Sequence, residues 1–138
     1  AYSEASIALI SLDDAEISPN TIGYINAHGT GTRLNDPLEC RAIKRVFGDR
    51  AVKLPVSSSK SLFGHAMGAS SALEALATLL AVQNDCAPPT LNCDDLDPEC
   101  VIDPVPYNSR KVQIEAALSN SFAFGGSNAV LVFRKWKP

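Results

Sequence analysis

The spacing of hydrophobic and polar positions changes several times along the chain, and each change marks an element. Over residues 3–15, Ile7, Ala8, Ile10 and Leu12 stand among Ser, Glu and Asp at helical spacing. This predicts a helix ending near Ser18, Pro19 and Asn20. Residues 21–27 (TIGYINA) are β-branched and aromatic and predict a strand. The glycine-rich HGTGT follows, and Asn35–Asp36–Pro37 then predicts a helix start, with a capping residue ahead of a first-turn proline. Leu38, Ala42, Ile43, Val46 and Phe47 form the apolar face of that helix, and Gly48 closes it.

Residues 54–58 predict a second short strand and 59–64 a loop. A long helix over residues 65–83 is then expected, apolar nearly all round and hence buried on several sides. Pro88, Pro89 and Pro98 break residues 85–103 into loop. Residues 111–119 and 128–134 predict two strands joined by the turn FAFGGSN. Strands alternating with helices predict an α/β layered fold with some parallel pairing, ending in an antiparallel pair.

Composition narrows the function classes. At 138 residues, 46% hydrophobic and 20% charged, the chain has the make-up of one globular domain with a real core. Its formal net charge of -3 gives no basic footprint for nucleic acid. No apolar run reaches the length of a membrane span, and acidic residues flank the first apolar stretch, so neither a membrane span nor a signal peptide is expected. The absence of an initiator Met points to a piece of a longer protein. Of the four cysteines, none forms a C-x-x-C pair, and free thiols are expected.

Candidate chemistry centres on the only two histidines. His28 ends the first predicted strand, and His65 begins the long helix. Both are junctions of the kind where α/β folds place ligands, and glycine beside each lets a ligand come close. Lys60 sits among serines just after a predicted buried strand, and Glu74 is the lone charge of the apolar helix. A buried carboxylate requires a partner, and Lys60 is the natural one. A continuous helix from His65 would nevertheless put Glu74 on the face opposite that histidine. A metal site could draw on His28, His65 and Asp36, but they lack ligand spacing, and no metal is expected. No G-x-S-x-G elbow is present for a serine hydrolase.

In order along the chain stand INAHGTGTRLNDPLE, SSSKSLFGHAMGASSALEAL, PPTLN, a loop with Asp103 and Val105–Pro106, and SNSFAFGGSNAVLVF. Together these segments, covering about Gly23 to Phe133, resemble the β-ketoacyl-acyl-carrier-protein synthases, the elongating condensing enzymes of fatty acid and polyketide synthesis. The resemblance implies a thiolase-like layered α/β fold of two similar halves, this chain being most of the C-terminal half (residues 1–138). It also implies that the nucleophilic Cys lies in an N-terminal half absent here. None of the four cysteines present sits in a matching context.

The chemistry implied is decarboxylative Claisen condensation of an acyl thioester with malonyl-acyl carrier protein. In it, His28 and His65 donate N–H groups to the charge that builds on the thioester oxygen, each donor being worth roughly 3 kcal/mol of barrier. Lys60 and Glu74 match the family's lysine and its partnered glutamate, organising the site. Thr30 and Thr32 match hydroxyls that contact the pantetheine arm. Phe122 and Phe124 match the aromatic turn at the acyl pocket, with the Phe124 amide in an oxyanion hole and its ring as a gate, and Gly125 and Gly126 give that turn its freedom. Ala123, Ser71 and Gly31 depart from residues common in the family without removing a catalytic group.

Several expectations accompany the resemblance. No cofactor is required, since the substrates ride on the phosphopantetheine of acyl carrier protein. The partners implied are that carrier, acyl and malonyl thioesters and the enzyme's own N-terminal half, in a cytoplasmic homodimer. The chain alone is expected to be inactive. Thiolases share the fold, but the two histidines with Lys60 favour the decarboxylating class. A non-catalytic chain-length-factor-type partner is the alternative, which the residue at the missing nucleophile position would decide. The end at Trp136–Lys137–Pro138, just past a strand, favours a discrete bacterial enzyme over a modular one.

Overall fold

A computed structural model describes residues 2–136. Four strands form one mixed sheet in the order β2-β1-β5-β6. They are β1 (Ile22–Asn26), β2 (Val56–Ser57), β5 (Ala116–Phe122) and β6 (Asn128–Arg134). β1 is parallel to both β2 and β5, and β5 pairs antiparallel with β6 from Ala116↔Arg134 to Phe122↔Asn128. The expected α/β architecture with an antiparallel end is therefore present.

Alternation along the strands divides two cores. Ile22, Ile25, Ala116, Leu118 and Val130 pack with Leu12 of α1 (Tyr2–Asp14) and with Ile43 and Phe47 of α2 (Asn35–Phe47). On the other face Tyr24 and Ala117 pack with Ala81 and Val82 of α4 (Ser70–Asn84). Helices thus cover both faces of the sheet, giving three layers.

The helix expected from His65 starts instead at Ser70, after a turn in which Met67 takes a left-handed φ of 49°. That left-handed backbone stops the helix from running back to residue 65, and the Met67 N–H is bound to the His65 ring. The expectation that this helix is buried on several sides also fails. Only Ser70, Glu74, Thr78, Ala81 and Val82 are buried, whereas Leu73, Leu76, Leu79 and Leu80 are 40–54% exposed. The helix lies on the sheet by a mostly polar stripe, and its leucines are left about half exposed.

Three smaller corrections concern local bonding. The segment expected to be loop after residue 58 contains a one-turn helix, α3 (Lys60–Phe63), closed by Gly64 N–H on the Lys60 carbonyl. The single strand expected over residues 111–119 is two: β4 (Arg110–Lys111), antiparallel to β3 (Cys86–Ala87) within the expected 85–103 loop, and β5. Asp85 takes the Val112 N–H on its carbonyl and the Ile114 N–H on its carboxylate, and so draws the intervening residues out of the ladder. Finally, α2 begins at Asn35, so the cap expected at Asn35 falls instead on Leu34, which makes no side-chain cap, and the Asn35 N–H is accepted by the Thr32 hydroxyl at 3.2 Å.

Candidate active site

Three parallel strands deliver the candidate residues from their carboxyl ends, where such sheets bind ligands. His28 follows β1, Lys60 follows β2, and Phe122 ends β5. The His28 and His65 rings meet edge to face with centroids 6.1 Å apart, and the Phe122 ring lies 5.6 Å from that of His28.

Below the rings lies a buried ionic network. Lys60 and Glu74 form an ion pair with side chains 5% and 2% exposed. The Lys60 ammonium also donates to the His28 carbonyl at 2.6 Å and stands 3.3 Å from His28 Nδ1. Because α4 starts at Ser70, His65 is not on its helix, and the opposition of faces that a continuous helix would impose disappears. Burial pushes the Glu74 carboxyl up, and the hydrogen bond and charge of Lys60 oppose that shift.

These contacts fix the protonation of the rings. An ammonium facing His28 Nδ1 leaves that nitrogen its lone pair and places the hydrogen of the neutral ring on Nε2. Burial first, then the charges of Lys60 and His65, lower the His28 pKa from 6.5 to about 4, so the ring is neutral at pH 7. His65 Nδ1 accepts the Met67 N–H at 3.2 Å and lies 2.9 Å from the Ser70 hydroxyl, which likewise places its hydrogen on Nε2. Both imidazoles therefore present an Nε2–H as donor.

Sequence reasoning assigned no role to several residues that hold this arrangement. Glu39, 2% exposed, accepts the backbone N–H groups of His28 and Gly29 at 2.9 Å each and the Asn120 amide at 3.0 Å. Burial drives its carboxyl upward against those three donors. The signal was available, since Glu39 falls in register with Ala42, Ile43 and Val46 on the core-facing stripe of α2, where a carboxylate is as conspicuous as Glu74. Asn26 donates to the Glu74 carbonyl and to Thr78, both at 3.1 Å, and accepts from Ser59, tying β1 to α4 and to the start of α3. The Asn120 carbonyl oxygen is buried without a hydrogen-bond partner.

Beside the histidines opens a cavity of about 550 Å³ walled by Thr30, Thr32, Lys60, His65, Leu91 and Cys100 among others. His28 and Phe124 are not among its walls. The Thr30 and Thr32 hydroxyls lie 3.0 Å apart. Phe124 is fully exposed on a turn in which Gly125 and Gly126 take φ of 82° and 83°. Ala123 is extended at φ −130°, a conformation that needs no glycine. Gly29 has φ +40°, and a Cβ there would stand 2.5 Å from that of Ser58, so the loop carrying His28 requires glycine at this point.

All four cysteines are free, and no group of three His, Cys, Asp or Glu among the described residues could hold a metal. No described helix is long and apolar enough to cross a membrane.

Comparison with known proteins places this geometry. The chain is 51% identical over 125 residues to the 3-oxoacyl-[acyl-carrier-protein] synthase 2 of Coxiella burnetii, covering 91% of this chain and 30% of that protein. It is 51% identical to nodulation protein E of Rhizobium leguminosarum bv. trifolii, covering 90% of this chain and 31% of that one. Among solved structures, a β-ketoacyl synthase from Burkholderia phymatum superposes with a TM-score of 0.93 at 40% identity, over 99% of this chain and 33% of that one. A type II polyketide ketosynthase solved with its acyl-carrier protein gives 0.94 at 39% identity, over 97% of this chain and 33% of its own. The chain thus spans about 30% of the length of the curated relatives it matches. Residues 3–94 match the model of the β-ketoacyl synthase C-terminal domain, and the chain belongs to that family.

Proposed function

We propose that this chain supplies the decarboxylating side of a β-ketoacyl-acyl-carrier-protein synthase whose nucleophilic Cys lies in the remainder of the full-length protein. The observation that carries the reading is the pair of imidazoles 6.1 Å apart, each with its Nδ1 facing a donor. When a malonyl thioester loses carbon dioxide, its C–C bond breaks and the electron pair passes into an enolate, with charge on the thioester oxygen. Two Nε2–H groups aimed at that oxygen stabilise the charge as it develops. The enolate carbon then attacks the acyl-enzyme carbonyl, and the thiolate departs.

Lys60, paired with Glu74, positions His28; burial first and the Lys60 charge second keep that ring neutral, and a neutral ring still carries the N–H the enolate needs. Thr30 and Thr32 would contact the pantetheine arm in the cavity they line. Phe122 packs beside His28. Phe124, with Gly125 and Gly126, would close over the acyl chain. The reading carries no cofactor, since the substrates are borne on acyl carrier protein, and it carries a cytoplasmic homodimeric enzyme. The exposed leucines of α4 suit a helix sandwiched by the rest of a layered fold.

The test uses the full-length protein. His65→Ala should abolish malonyl decarboxylation and leave acyl transfer to the Cys partly intact. Equal loss of both steps would sink the assignment. The isolated 138 residues should form no ketoacyl product, and measurable turnover would refute the two-half reading.

A further inference from the structure

His65 is the less supported of the two rings. It is exposed, it follows a glycine, and the turn after it passes through the left-handed Met67. Yet its ring must be held, since an N–H donor stabilises charge only if its direction is set before the reaction. The Met67 N–H on Nδ1 supplies one restraint at 3.2 Å, from a backbone in a conformation L-residues seldom adopt. The Ser70 hydroxyl at 2.9 Å supplies a shorter one. A serine at a helix start ordinarily turns its oxygen toward the first backbone amides. Here the cap position is Ala69, no side chain caps the helix, and the Ser70 hydroxyl lies against the imidazole. Ser70 is only 4% exposed, on the buried stripe of α4 with Glu74, so its hydroxyl is fixed by the packed helix and not by the turn.

We infer that Ser70 is a positioning residue for His65, donating to Nδ1 so that the packed helix α4 sets the aim of the Nε2–H. Since Nδ1 already accepts the Met67 N–H, its lone pair faces outward from the ring and the hydroxyl must be the donor. The helix that carries Glu74, and through it anchors Lys60 and His28, thereby also anchors His65. Both donors are referred to one rigid element, as a site that must be built to within a fraction of an ångström requires. The part of the inference that concerns turnover rests on the condensing reading proposed above.

The test compares the full-length protein with its Ser70→Ala and Ser70→Thr variants after ¹⁵N-histidine labelling, the His65 signals being assigned by their loss in His65→Ala. The His65 Nδ1 resonance should move downfield in Ser70→Ala, as a nitrogen that has lost a donor does, and should return in Ser70→Thr. Condensation should fall about fivefold in kcat, the equivalent of one ordinary hydrogen bond. KM for the malonyl thioester and the rate of acyl transfer to the Cys should hold. An unchanged Nδ1 resonance, or equal loss of acyl transfer, overturns the assignment of Ser70. If the wild-type protein carries out no condensation and Ser70→Ala still shifts Nδ1, Ser70 stands as the ring's anchor and the condensing reading is overturned instead.

Discussion

His28 and His65 offer the same N–H chemistry from opposite surroundings. His28 is half-buried, its backbone held by Glu39 and its ring set against Lys60. His65 is exposed, held by one backbone amide and one hydroxyl. The first cradle buries the ring and sets an ammonium beside it, which together depress its pKa, and it locks the loop to two helices. The second holds an accessible ring by two contacts at Nδ1, one from the turn and one from the Ser70 hydroxyl of α4. A donor pair can thus be preorganised with only one member built into the core. Substitutions should then separate the two, with stability following the His28 side and chemistry following both.

The sharpest break in that comparison comes from Glu74→Ala. It strands the Lys60 ammonium in the interior and should cost about 3–5 kcal/mol in urea unfolding of the full-length protein. A loss under 1 kcal/mol would mean that water reaches the pair. Glu39→Ala leaves the amides of His28, Gly29 and Asn120 without their acceptor and should cost about 3 kcal/mol. Gly29→Ala meets both the positive φ and Ser58, for about 2 kcal/mol by the same measurement.

Acid should act on the His28 side. Its pKa is about 4 in the fold against 6.5 unfolded. Between those values the unfolded chain binds a proton that the folded chain does not, so stability falls as pH drops through this window and the loss levels off below 4. An NMR titration should find the His28 midpoint near 4. Lys60→Met should raise it, and an ordinary midpoint in the wild type would show the ring to be hydrated. The smallest effect belongs to the other cradle: His65→Ala should leave unfolding within about 0.5 kcal/mol of wild type while abolishing decarboxylation. A larger loss would show that His65 is structural after all.

The two faces of α4 show why part of the site was legible and part was not. Its composition announced a helix, and Glu74 within it announced a buried charge seeking Lys60, because an unpaired carboxylate in an apolar setting is too costly to keep. The same run of Ala, Gly and Leu concealed where the helix starts, because nothing between His65 and Ser70 breaks helical spacing. That boundary is set by the left-handed backbone at Met67, whose N–H bonds the His65 ring, and this outweighs propensity. The buried stripe turned out to be Ser70, Glu74 and Thr78, with leucines facing outward. Hydrophobic pattern alone would have turned that helix the other way. Glu39 is visible by helical register, but its two backbone partners lie ten and eleven residues earlier in a loop of no regular period, so nothing in the sequence names them.

By itself the sequence determined the element types, the partly parallel sheet and the identity of the chemical groups, because periodicity and the intolerance of buried charge are local or pairwise constraints. Only the tertiary structure decided that β1, β2 and β5 bring His28, Lys60 and Phe122 to one end of the sheet, that the hydrogen of each imidazole sits on Nε2, and that Ser70 reaches His65. Those outcomes depend on which hydrogen-bond partner arrives at each nitrogen, and the arrival is set by strand order and helix placement across dozens of residues, not by any neighbouring pair.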